Sequence, residues 1–288
     1  MLSPSKHEDA GGRVNWKKAA LAIVAAVALL GAGWFGAALL LKPPAPPPKP
    51  KALFADWAAI IVAGDWRAHS GAPSQVFDNA RHDLAKAFIA LGFQPANIRQ
   101  FTAVPQAFPY ENVQPSAQEP IVTGLAAVTA RAKAGCMLYL TSHGTPEGIV
   151  IGERVVDPAP IAAMVNQYCG DRPTAIIVSA CFSGAFVPLL QGPNRIVFTA
   201  ARADRTSFGC GELDQYTFFD TCVLSQIGKV GSFPALADKV KACVTARETA
   251  MHIGTANPAS IKNSSQPPEL PSEPQFVMDP QLGSLSWR

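Results

Sequence analysis

Charge is scarce in this sequence: 16% of its 288 residues are Asp, Glu, Lys or Arg, and the formal net charge is only +3. Without a basic excess there is little to neutralise a phosphate backbone, and nucleic acid is not an expected partner. Metal-ligand clusters are missing too. His7, His69 and His252 do not group with cysteines or carboxylates at ligand spacing, so neither a metal centre nor any other cofactor is expected. A phosphate-cradling loop is also lacking, because Gly64 is followed by Asp65-Trp66-Arg67 rather than by further glycines. No internal repeat recurs along the chain.

Apolar residues, by contrast, make up 48% of the chain, and the excess is local. Residues 19–41 carry no charge. At 1.5 Å per residue such a run is long enough to cross a hydrocarbon core about 30 Å thick as a helix. A cleaved signal peptide is the competing reading, but the run exceeds the usual apolar region of roughly 7–15 residues. An uncleaved single-pass anchor is therefore expected, in a bacterial inner membrane. Lys17 and Lys18 abut the run, which puts the tail 1–18 in the cytoplasm and the remainder in the periplasm or an equivalent space. Residues 42–52 form a Pro-rich stalk that favours polyproline II. Residues 53–254 form the main domain, and 255–288, with six prolines, read as a loose tail or an extended arm over it. Six cysteines in such a compartment can form disulfides. If Cys181 stays free for chemistry, the other five cannot all pair internally, and plain buried thiols remain the alternative.

Trp57–Ala63 is an apolar run, β-branched at Ile60, Ile61 and Val62, that predicts a buried strand. Phe77, Ala80, Leu84, Phe88 and Leu91 then recur at helical spacing. Further strands are expected at 98–102, 136–141, 174–180 and 196–200. A helix ends near Ala134, and another is capped by Asp157 with Pro158 in its first turn, burying Ile161, Met164, Val165 and Tyr168. Ser232 opens a late helix with Phe233, Leu236, Val240, Cys243 and Val244 on one face. Strands alternating with helices imply an α/β fold with an open, mostly parallel sheet flanked by helices, preceded here by one transmembrane helix.

In open parallel sheets, sites gather beyond the carboxyl ends of the strands. Three polar clusters fall there: the loop after Trp57–Ala63 leading to Asn79-Ala80-Arg81-His82, the turn Ser142-His143-Gly144-Thr145 and the turn Ala180-Cys181-Phe182-Ser183-Gly184. A thiol with a pKa near 8.5 is mostly protonated at neutral pH, and a nearby imidazolium stabilises its thiolate. The same ring can then protonate a departing amine. Cys181 as nucleophile and His143 as its acid–base partner fit that chemistry, with the backbone N–H groups of Gly144 and Cys181 as oxyanion donors. Singly, each residue has a plainer reading. Cys181 would be a core thiol, Asn79 a helix cap and Arg81 a solvated charge. It is their conjunction that points to chemistry.

The run Leu138-Tyr139-Leu140-Thr141-Ser142-His143-Gly144 resembles the strand-then-His-Gly motif of the caspase–hemoglobinase fold. Ile176-Ile177-Val178-Ser179-Ala180-Cys181-Phe182-Ser183-Gly184 is similar to the legumain strand ending in Ala-Cys-x-Ser-Gly. Thr199-Ala200-Ala201 with Ser207-Phe208-Gly209-Cys210, and upstream Ile61-Val62-Ala63-Gly64 with Asn79-Ala80-Arg81-His82, resemble two more blocks in the same order. The chain thus looks like a legumain-like cysteine peptidase over roughly 54–228, and like a bacterial, membrane-anchored member. The resemblance implies a caspase–hemoglobinase-like fold and the Cys181–His143 dyad, with Asn79 orienting His143. It also implies Arg81 as a wall of the P1 pocket, with Ser179 and Ser207 as further substrate-binding positions. The function it implies is an endopeptidase acting on peptides or proteins through a Cys181 acyl-enzyme, after Asn or Asp. Transamidation on the same machinery, or a non-catalytic scaffold of this fold, are the rivals. One departure stands out: legumains carry a glutamate where this chain has Ser179. With that acid gone, the pocket around Arg81 is expected to be more positive, accepting aspartate at least as well as asparagine.

Overall fold

The computed structural model describes residues 52–254 and 269–287. The expected tail and anchor, and all but the last residue of the stalk, lie outside them. Among the described residues no helix is long and apolar enough to cross a membrane.

Seven strands make one sheet: β1 Trp57–Ala63, β2 Ile98–Thr102, β3 Val113–Pro115, β4 Gly135–Thr141, β8 Thr174–Ser179, β9 Arg195–Thr199 and β10 Gln275–Met278. Their order is β10-β9-β8-β4-β1-β2-β3, and every pairing is parallel except that of β10 with β9. A small antiparallel sheet of β5 Gly144–Thr145, β6 Gly148–Ile151 and β7 Arg154–Val156 follows the end of β4. The helices are α1 Val76–Ala90, α2 Gln118–Arg131, α3 Pro158–Cys169, the single turn α4 Val187–Leu190, α5 Phe218–Gln226 and α6 Phe233–Ala250.

Strands β1, β4, β8 and β9 are buried along their whole length, because helices cover both faces of the sheet. Alternate residues divide between two cores. Ala59, Ile61, Met137, Tyr139 and Ile177 meet Leu84 and Phe88 of α1, Phe219 and Val223 of α5, and Leu236 and Val240 of α6. Ile60, Val62, Leu138, Leu140 and Val178 meet Leu125 and Val128 of α2 and Ile161 and Val165 of α3. Helix starts follow the sequence: the side chains of Asp157, Thr217 and Ser232 accept from the N–H groups of Ala159, Asp220 and Ala235.

Several boundaries shift. Strand β8 stops at Ser179, so Ala180 and Cys181 lie beyond the ladder. Helix α2 ends at Arg131, where Ala132 turns extended to lead into β4. Tyr168 is half-buried and packs against the edge of the core shared with Ile161 and Val165. The largest difference is at the C-terminus, where Gln275–Met278 adds the antiparallel edge strand. All four of its residues are half-buried, and its apolar run is only Phe276-Val277-Met278 amid prolines, too short to mark a strand in the sequence. Four of the five remaining cysteines pair. Cys136–Cys169 joins the start of β4 to the end of α3, and Cys222–Cys243 joins α5 to α6. Cys181 and Cys210 are free.

Candidate active site

Strands β4 and β8 lie side by side with Thr141 opposite Ser179, so the chains that leave them start together. Ser142 N–H donates to the Ser179 carbonyl at 3.1 Å, which extends the pairing past the strand ends. One step further, a Cβ on Gly144 would lie 2.1 Å from the Cys181 carbonyl oxygen. Only glycine lets the two main chains come this close. The sequence therefore brings His143-Gly144 directly against Cys181.

Two partners fix the His143 ring. Nε2 lies 3.0 Å from the Arg67 carbonyl oxygen. A carbonyl only accepts, so this contact requires a proton on Nε2. Phe77 meets the ring edge-on at 5.0 Å. The turn that supplies the Arg67 carbonyl is itself pinned by buried Asp65, whose Oδ1 accepts from Trp66 N–H at 2.7 Å, Arg67 N–H at 3.1 Å and Arg67 Nε at 2.9 Å.

The thiol of Cys181 is half-buried and wrapped by one residue. Ser207 N–H donates to Sγ at 3.2 Å, and the Ser207 carbonyl oxygen and Oγ lie 3.5 and 3.6 Å away. The thiol can donate to that carbonyl, whereas a thiolate is held by the N–H. Phe182, next in the chain, sits in the left-handed region with φ 57°, and its N–H reaches the Arg205 carbonyl at 2.7 Å. A bulky residue pays for that conformation, and such strain persists only where surrounding structure enforces it. Here the enforcement comes from the loop after β9. Ala201 N–H donates to Ser183 Oγ at 3.1 Å, and a Cβ on Gly184 would sit 2.4 Å from Ala203 N.

The remaining expected site residues lie apart from this pair. Asn79 Nδ2 donates to the Gln215 carbonyl at 3.1 Å, whereas the ring of His143 is held by Arg67 and Phe77. Arg81 is fully buried. Its Nε bonds Asp78 at 2.8 Å, its Nη1 bonds Gln100 at 2.6 Å and Glu111 at 2.9 Å, and it lies 4.8 Å over the Phe108 ring. Two carboxylates thus already meet its charge. Ser179 is buried beneath the site, with Oγ 3.3 Å from Thr217 Oγ1. Beside the Arg67 turn opens a cleft of about 670 Å³ lined in part by Trp66, Asp78, Asn79, Phe108, Glu212 and Asp214. No Lys or Arg stands among the described residues that line it. Burial, reinforced by the nearby Cys181, pushes the thiol of Cys210 up to about 11, so the second free cysteine is a poor nucleophile at neutral pH.

Residues 101–232, which include His143, Ser179, Cys181 and Ser207, match the profile of the Peptidase C13 family. Over that segment the chain is legumain-like. Asn79 and Arg81 fall upstream of the matched segment. Caspase-1 from Spodoptera frugiperda aligns over 82% of this chain and 92% of its own, with a TM-score of 0.53 and 13% identity, a likeness of fold. No curated protein sequence matches the chain. Sequence reading of this chain missed Asp65 and the Arg67 carbonyl. A backbone acceptor has no residue type, so nothing in the sequence singles it out.

Proposed function

We propose that the protein is a cysteine endopeptidase. Cys181 Sγ attacks the scissile carbonyl, His143 protonates the departing amine, and water resolves the acyl-enzyme with His143 as base. The N–H groups of Gly144 and Cys181 are the oxyanion donors. The observation that carries this reading is the contact of Gly144 with the Cys181 main chain, inside the segment that matches the peptidase family.

For the P1 side chain the reading is asparagine over aspartate. An aspartate preference needs an Arg81 with charge to spare, but Asp78 and Glu111 already pair with it. The cleft beside the site also carries Glu212 and Asp214, and like charges in one site repel. A neutral amide avoids that cost. We further place 19–41 as a membrane anchor with the catalytic domain outside the cytoplasm, a reading supported by the apolar run and by two disulfides, which persist in oxidising compartments.

The test is to incubate the full chain, purified in detergent, with a diverse peptide library and map the cuts by mass spectrometry, with and without added hydroxylamine. Cuts after asparagine yielding free acids are expected. Products found only as amine adducts would make the protein a transferase, and no cuts at all would refute the peptidase reading.

A further inference from the structure

Asp220, the third residue of α5, has no exposure to solvent. Its Oδ1 accepts from Tyr139 Oη at 2.7 Å and its Oδ2 from Thr141 Oγ1 at 2.6 Å. Both hydroxyls project from the same face of β4, and Thr141 stands two residues before His143. Asp220 N–H donates to Thr217 Oγ1 at 3.0 Å, and Thr217 Oγ1 lies 3.3 Å from Ser179 Oγ, two residues before Cys181. Thr217 Oγ1 thus stands between the Asp220 backbone N–H and the Ser179 hydroxyl. Asp220 therefore holds two hydroxyls of the strand that delivers the histidine with its carboxylate. Through Thr217, at the end of the loop that lays Ser207 on the thiol, it is linked to the strand that delivers the cysteine.

The geometry points to Asp220 as a positioning residue of the Cys181–His143 pair. Its carboxylate anchors β4, and its N–H, through Thr217, joins that anchor to β8 and to the loop over the nucleophile. This inference rests on the peptidase reading above. Burying a carboxylate is costly, and an apolar residue would fill the same space at no such penalty. A tie among three segments is what the acid adds. Small displacements of reacting groups slow chemistry steeply, so the anchor should act on turnover more than on substrate affinity. Glu248 makes an instructive contrast. It too is a buried carboxylate, but its hydrogen bonds go to Ser272 on the C-terminal arm and not to the residues of the pair.

The test uses the full chain carrying Asp220→Asn, Thr141→Val or Glu248→Gln. Three quantities are read: kcat and KM on a cleaved peptide, the rate of Cys181 alkylation by iodoacetamide at pH 7, and Tm. For Asp220→Asn, kcat should fall at least about tenfold with KM within about threefold, and alkylation should slow by a similar factor. Thr141→Val, which removes one tie only, should move both rates in the same direction by a smaller factor and carries the test if Asp220→Asn does not fold. Glu248→Gln should lower Tm and leave both rates unchanged. An Asp220→Asn or Thr141→Val protein that loses Tm yet keeps kcat and alkylation within about twofold of wild type would overturn the proposal, as would a rise in KM alone. Alkylation needs no peptide turnover. A wild type that cleaves nothing therefore refutes the peptidase reading, while the alkylation comparison still decides the role of Asp220.

Discussion

His143 owes its proposed role to three neighbours: the Arg67 carbonyl, the Phe77 ring and the Cys181 main chain under Gly144. If the pair acts as one unit, Cys181→Ala and His143→Ala should each abolish turnover, and the double variant should be no worse than either. Circular dichroism should show both folded, because both side chains are only half-buried. Gly144→Ala offers a separate check. Its Cβ has no room beside the Cys181 carbonyl, so kcat/KM should drop about 100-fold or more through misplacement alone. Arg81 differs in kind. Removing it strands Asp78, 3% exposed, without its partner. Arg81→Ala should therefore cost about 3–5 kcal/mol in urea unfolding, a loss far larger than a solvated helix charge would give. At this scale the sequence announces side-chain chemistry well. Cys181 and His143 stand out by type and by their glycine neighbours, whereas Asn79 and Arg81 look equally functional, and only packing shows that their hydrogen bonds go to Gln215, Asp78, Gln100 and Glu111.

Among the elements, the central strands were legible because burial on both faces writes itself as an apolar run. The hairpin β5–β7 and the edge strand β10 were not, being short and in large part half-buried. Helix α5 escaped for another reason: its buried face carries Asp220 beside Phe219 and Cys222, which breaks the apolar stripe. That acid gives α5 a pH signature. Burial raises the Asp220 pKa above the ordinary value of 3.8, against the pull of four hydroxyls. The folded state then holds a proton that the unfolded chain has released. The stabilisation is complete below pH 3.8 and is lost as pH rises through the folded value. The stability of wild type relative to Asp220→Asn should therefore fall as pH increases from below 3.8, measured as the difference in urea midpoint across the pH series. A difference that grows with pH would reverse the assigned direction. The Cys222–Cys243 bridge ties α5 to α6 across 21 residues. Replacing both cysteines by alanine should cost about 3 kcal/mol, read by urea denaturation, with peptide turnover retained at low denaturant.

In the whole molecule, an apolar run at 19–41 precedes the legumain-like segment 101–232. A membrane-anchored protein should remain in the pellet after carbonate washing, and protease added to spheroplasts should remove the catalytic domain; protection until lysis would invert the topology. The most direct test of the central claim is to trap the covalent intermediate. The full chain is mixed with a rapidly acylating peptide ester ending in asparagine, quenched in acid and digested for peptide mapping. The account predicts one acyl adduct, on the peptide containing Cys181, absent from Cys181→Ala and longer-lived in His143→Ala. An adduct on Cys210, or undiminished cleavage by Cys181→Ala, would contradict it.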